Sequence, residues 1–129
     1  MKLAKPGLLK PWLPVVAILL MAPPVMAGDA AAGKQVYDGK GACAGCHGAG
    51  GAGDGAAAVA FNPRPANFAT AEFRIDADGN GQAGDDADIA NVIKHGAAKY
   101  GGNAGMAARG DFSDAELGNL VAYIRSLKQ

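Results

Sequence analysis

This chain is poor in the features that most readily identify a domain. Of its 129 residues, two are cysteine and one is tryptophan. It has no sustained apolar/polar alternation and no β-branched run, so no strand signal emerges. Lys+Arg and Asp+Glu both number 12, and there is no basic stripe of the kind a nucleic-acid partner would require. The apolar stretch from Leu13 to Ala22 is half the length, roughly 20 residues, that a bilayer-spanning helix needs. Large apolar side chains are scarce too: 19 follow position 27, against a background of glycine and alanine. Glycine raises the entropy cost of folding, and small side chains bury little area. Such a chain needs a hydrophobic body beyond its own side chains.

What is present begins with a leader. Lys2, Lys5 and Lys10 precede the short apolar stretch, Pro23-Pro24 breaks it, and Val25-Met26-Ala27 supplies small residues for a signal peptidase. The expectation is a signal peptide over 1–27, cleaved after Ala27, and a single domain over 28–129. An uncleaved anchor is the alternative. The leader takes three lysines and no acids, which leaves nine basic against 12 acidic residues and a net charge of −3. It also removes the tryptophan and three of the four methionines, so Met106 is the sole Met of the remainder.

Both cysteines fall in Cys43-Ala44-Gly45-Cys46-His47. This C-x-x-C-H pattern is the haem-attachment pentapeptide: each thiol can add to one vinyl group, and the adjoining imidazole is carried to the iron. Export brings the thiols to a compartment where disulfides form. A disulfide across two intervening residues would constrain the unfolded chain little, so it remains the weaker reading. A porphyrin would also be the missing hydrophobic body.

Three helical segments are expected. The first is capped by Asp29 and runs through Tyr37. The second starts in the acidic run Asp85-Asp86-Ala87-Asp88, carries Ile89, Val92 and Ile93 on one face, and stops at Gly96. The third opens with the capping box Ser113-Asp114-Ala115-Glu116, followed by Leu117, Leu120, Val121, Ile124 and Leu127 at helical spacing. Arg125 and Lys128 suit its C-terminal end. Between the helices lie Gly/Ala-rich 48–60, the stiff Asn62-Pro63-Arg64-Pro65, acidic 76–84, and 101–110 around Met106.

His47 is the expected proximal iron ligand and Met106 the distal one, because a thioether opposite histidine stabilises ferrous iron and raises the potential. Met106 lies in a glycine-rich loop with little core to fill. His95 is the rival distal ligand, at the end of the second helix, where a histidine also suits the dipole. Gly48-Ala49-Gly50-Gly51-Ala52-Gly53 matches G-x-G-x-x-G, but no strand precedes it, so a dinucleotide site is discounted. Asp76-Ala77-Asp78-Gly79-Asn80-Gly81 starts like an EF-hand loop, but Ala87 stands where the bidentate Glu belongs. The Asp76-Asp78-Asn80 oxygens leave a weak calcium site as one reading and a solvated acidic loop as the default.

The early C-x-x-C-H, the late Met and the capped last helix together resemble the class I c-type cytochromes, over about Asp29 to Lys128. The resemblance implies an all-α cytochrome c fold, three main helices and loops around one covalent haem c. It implies that Gly33 and Tyr37 meet Leu120 and Tyr123. It also implies that a proline carbonyl, of Pro63 or Pro65, accepts from the His47 Nδ1–H, and Arg64 is a candidate neighbour for a propionate. The family usually has proline after the ligand Met, whereas this chain has Ala107. The expected function is periplasmic single-electron transfer by a monomer with redox-protein donors and acceptors, without catalysis, nucleic-acid binding or a membrane span after cleavage. A gas-binding or redox-sensing protein with a labile Met106, or a subunit of a periplasmic oxidoreductase, are the alternatives.

Overall fold

The computed structural model describes residues 28–129 and, before them, only 2–4, 7 and 11. The apolar stretch and the cleavage site of the expected leader lie outside the described residues. Four α-helices and no strands occur among those described: α1 (Ala30–Asp38), α2 (Ala44–His47), α3 (Asp86–His95) and α4 (Asp114–Ser126). Single 3-10 turns sit at Ala58–Ala60 and Ala97–Tyr100. α1, α3 and α4 are the three expected helices. α2 was not expected, because it is one turn over the C-x-x-C-H motif and too short to show a period. None of the helices described is long and apolar enough to cross a membrane.

Local chemistry sets the ends of the three long helices. Asp29 caps α1, its carboxylate accepting from Ala31 N at 2.8 Å and Ala32 N at 3.2 Å. Ser113 and Glu116 close the capping box of α4 in both directions. Asp85 and Asp88 form a second capping box on α3, where the sequence shows only an acidic run. α3 ends at Gly96, whose φ of +81° is open to glycine at little cost.

α1 crosses α4, and α3 also packs on α4. The α1–α4 crossing is as close as the family resemblance implies. Gly33 lies directly against the α4 backbone at Asn119 and against Tyr123. Tyr37 and Leu120 are both fully buried there, and Tyr37 meets Tyr123 edge-on at 5.1 Å. Arg125 ties the end of α4 to the start of α3 through Asp86 at 2.7 Å and the Gly84 carbonyl at 2.6 Å.

Asp88 organises the acidic loop. Its side chain is 1% exposed and accepts four backbone N–H groups: Ala77 at 2.6 Å, Asp78 at 3.1 Å, Gly84 at 2.7 Å and Asp85 at 3.1 Å. Burial pushes its pKa up, but the four donors outweigh burial and hold it below the ordinary carboxylate value. A carboxyl with a folded pKa below its unfolded one stabilises the fold above the unfolded pKa. That contribution is lost as pH falls through the folded value. Asp88→Asn should therefore cost about 2–4 kcal/mol at neutral pH, because an amide nitrogen now faces backbone donors. Thermal unfolding at neutral and strongly acidic pH should show the gap between variant and parent closing in acid. A gap that is the same at both would mean that the carboxylate charge is not what holds the loop.

Candidate functional site

The site is built on one helical turn. Cys43, Cys46 and His47 stand at i, i+3 and i+4 across α2, the spacing that puts three side chains on one face. Cys43 is anchored from α1, its N–H donating to the Tyr37 carbonyl at 2.9 Å. The His47 N–H then donates to the Cys43 carbonyl, also at 2.9 Å. No disulfide joins the two cysteines. The Tyr37 hydroxyl donates to the Gly48 carbonyl at 2.6 Å, so the α1–α4 crossing also fixes the end of α2.

His47 is held in one tautomer. Its Nδ1 lies 3.1 Å from the Ala66 carbonyl, and a carbonyl can only accept, so Nδ1 carries the proton. Burial holds the ring's pKa below that of a free histidine, although the Ala66 contact opposes this. A neutral imidazole with Nδ1 protonated keeps the Nε2 lone pair free for a metal. The ring also stacks on Phe68 at 4.4 Å, with 15° between the planes. The acceptor corrects the expectation of a Pro63 or Pro65 carbonyl: the bond goes to the residue after Pro65. A carbonyl serves equally well from any residue, so the family's proline is not required for it.

Two cavities meet at this histidine. One, of about 340 Å³, is lined by the 61–75 segment, α3 and the 101–106 loop. The other, of about 190 Å³, lies toward Tyr37, Cys43 and Phe112. Cys46, His47 and Met106 border both, so the hollows are parts of one slot with mostly apolar walls. These residues fit a covalently attached metalloporphyrin: two thiols, an imidazole with a free nitrogen, and a thioether from a distant segment, all facing one apolar slot.

Met106 is brought to the slot by its loop. Its carbonyl accepts from Ala97 N at 3.0 Å, and its N–H donates to the Asn103 carbonyl at 3.1 Å. Gly96 lets the loop lie close, since a Cβ there would stand 3.2 Å from the Met106 carbonyl oxygen. His95, the rival ligand, is exposed and lines neither cavity.

Arg64 lines the larger cavity from its exposed rim, as does Arg74, which the sequence did not single out. Arg74 donates to the Arg64 carbonyl at 2.8 Å. At the acidic loop, carboxylate oxygens of Asp76, Asp78 and Asp88 lie within 4.8 Å of one another. The grouping thus has Asp88 where the sequence suggested Asn80, whose side-chain nitrogen donates to Asp78 and Asp85.

A family model described as "Cytochrome c" matches residues 30–128. No curated protein matches the chain. Among solved structures, a chain of the reducing HAO-like protein complex of Kuenenia stuttgartiensis is similar, with 26% identity and a TM-score of 0.56. The likeness covers 78% of this chain and 44% of that one, so the present chain spans less than half of its length. The family match takes in all four helices and the whole slot, and the chain belongs to the cytochrome c family.

Proposed function

We propose that this protein carries single electrons outside the cytoplasm, using one haem c attached through Cys43 and Cys46 and ligated by His47 and Met106. The observation that carries this reading is the pairing of a half-buried, Nδ1-protonated His47 with Met106 along one slot. Haem c, when bound, supplies a one-electron ferric/ferrous couple. The chain's own residues do the rest. Ala66 orients the imidazole, Phe68 supports its face, and the apolar walls limit water and lower the local dielectric. Nothing in this scheme requires substrate to bind, so the role is that of a carrier rather than a catalyst.

Export follows from the leader over 1–27, with cleavage after Ala27 and residence of the 28–129 domain in the periplasm. The partners would be redox-protein donors and acceptors, met by a monomer. The likeness to a chain of an HAO-like complex favours a second reading, in which the domain is a stably held subunit of a larger assembly. Copurification that survives high salt would select the subunit, and a free monomer would select the diffusing carrier.

Met106→Ala tests the ligand set. The variant should lose the weak far-red sulfur-to-iron band of the ferric protein. Its potential should fall by at least a tenth of the roughly 0.8 V span that axial ligands command. Potentiometry and ferric absorption spectra read both, and a band that persists would remove Met106 from the iron. Rapid, complete formation of a carbon monoxide adduct by the unaltered ferrous protein would instead select the gas-binding alternative.

A further inference from the structure

The loop that carries Met106 has few side chains able to hold it. Ala104, Gly105, Ala107 and Ala108 are all exposed. The next large side chain after Met106 is Arg109, and it reaches across to the haem-attachment segment. Its Nη1 donates to the Gly41 carbonyl and its Nη2 to the Lys40 carbonyl, both at 2.8 Å. Asp111 fixes the other edge of the guanidinium, with Nε to Oδ1 at 3.0 Å and Nη2 to Oδ2 at 3.2 Å. The guanidinium lies over the Phe112 ring, 4.4 Å from its centroid. On the backbone, the Arg109 N–H donates to the Ile93 carbonyl at 2.8 Å. One residue therefore joins the Met106 loop to α3 and to the turn that delivers Cys43.

We infer that Arg109 is a positioning residue: by clasping carbonyls 40 and 41 it holds Met106 at the iron and sets how often the sulfur lets go. The inference rests on the reading of Met106 as the distal ligand. The chemistry suits the planar fork of arginine, which serves two adjacent carbonyls while its Nε edge faces a carboxylate. A lysine in its place keeps the charge but not that geometry. Arg109 also borders the smaller cavity together with Gly41, Cys43 and Met106, so the clasp lies at the wall of the slot.

The test uses the ferric, haem-loaded protein and measures the limiting rate of cyanide binding at high cyanide, which reads departure of the sulfur. Arg109→Gln should raise that rate about tenfold or more, since it removes charge-assisted hydrogen bonds. Arg109→Lys should fall between the two, and it carries the test if the glutamine variant does not fold. Val121→Ala, in the α4 core away from both cavities, controls for general loosening at a matched loss of thermal stability. An unchanged rate in the Arg109 variants, or an equal rise in Val121→Ala, overturns the proposal. Failure of the ligand reading looks different: the far-red band would be absent before any substitution, or would survive Met106→Ala.

Discussion

Replacing Cys43 and Cys46 together with alanine should leave a chain that does not hold its helices. Expressed without haem, the double variant should show a mostly unfolded far-ultraviolet circular dichroism spectrum and no cooperative thermal transition. The reason lies in the slot. The buried cluster is small, built mainly from Tyr37, Phe68, Phe112, Ile89, Ile93 and the inner face of α4. The larger cavity of about 340 Å³ opens beside it. Without haem the slot's mostly apolar walls would face water, and each Å² of apolar surface left exposed forgoes about 25 cal/mol. Domains of this size are stable by roughly 5–15 kcal/mol in total, a small margin against that loss. Collapse into the slot would pull α3 and the 61–75 segment out of register with α4. A native-like helical spectrum without haem would show that side chains alone suffice as the core.

The second large effect belongs to Gly33. A Cβ there would stand 1.9 Å from the Asn119 carbonyl oxygen, 2.5 Å from its carbonyl carbon and 2.8 Å from the Tyr123 Cβ. Two of these are backbone atoms in the middle of a helix, which cannot swing aside as the tip of a flexible side chain can. Gly33→Val should therefore push α1 off α4. It should cost about 3 kcal/mol or more and lower Tm by about 12 °C or more for a domain of this size. The loss is amplified because Tyr37 sits one turn on: separating the helices exposes its ring and breaks its hydroxyl's bond to Gly48, at the end of the haem-attachment turn. Thermal unfolding of the haem-loaded variant measures the cost, and a change below about 1 kcal/mol would mean that the crossing is looser than its geometry.

What could be read in the sequence was whatever depends on side chains close together along the chain. Ser113 and Glu116 announce the start of α4 because a capping box needs those side chains at that spacing. Cys43, Cys46 and His47 announce a haem motif because three reactive side chains fall within five residues. Met106 stands out by elimination, as the one Met beyond the expected leader. The features that escaped share a different chemistry. The partner of His47 is the carbonyl of Ala66, the four partners of Asp88 are backbone N–H groups, and Arg109 grips the carbonyls of Lys40 and Gly41. Peptide groups are the same at every position, so a bond to one leaves no mark on residue identity. A proline was expected beside His47 for the same reason: the family pattern names a residue, while the bond needs only an oxygen.

The single turn of α2 also bears on the order of assembly. Attachment draws on five contiguous residues, Cys43 to His47, which stay close together in any conformation of the chain. Met106 lies 59 positions beyond His47, and the walls of the slot come from segments just as remote in sequence. Covalent loading is a local event, and closure of the slot is a long-range one, which pays its loop entropy late. A newly made chain can therefore take its cofactor while still extended and then condense around it, with the porphyrin as the template on which α3 and the Met106 loop find their places.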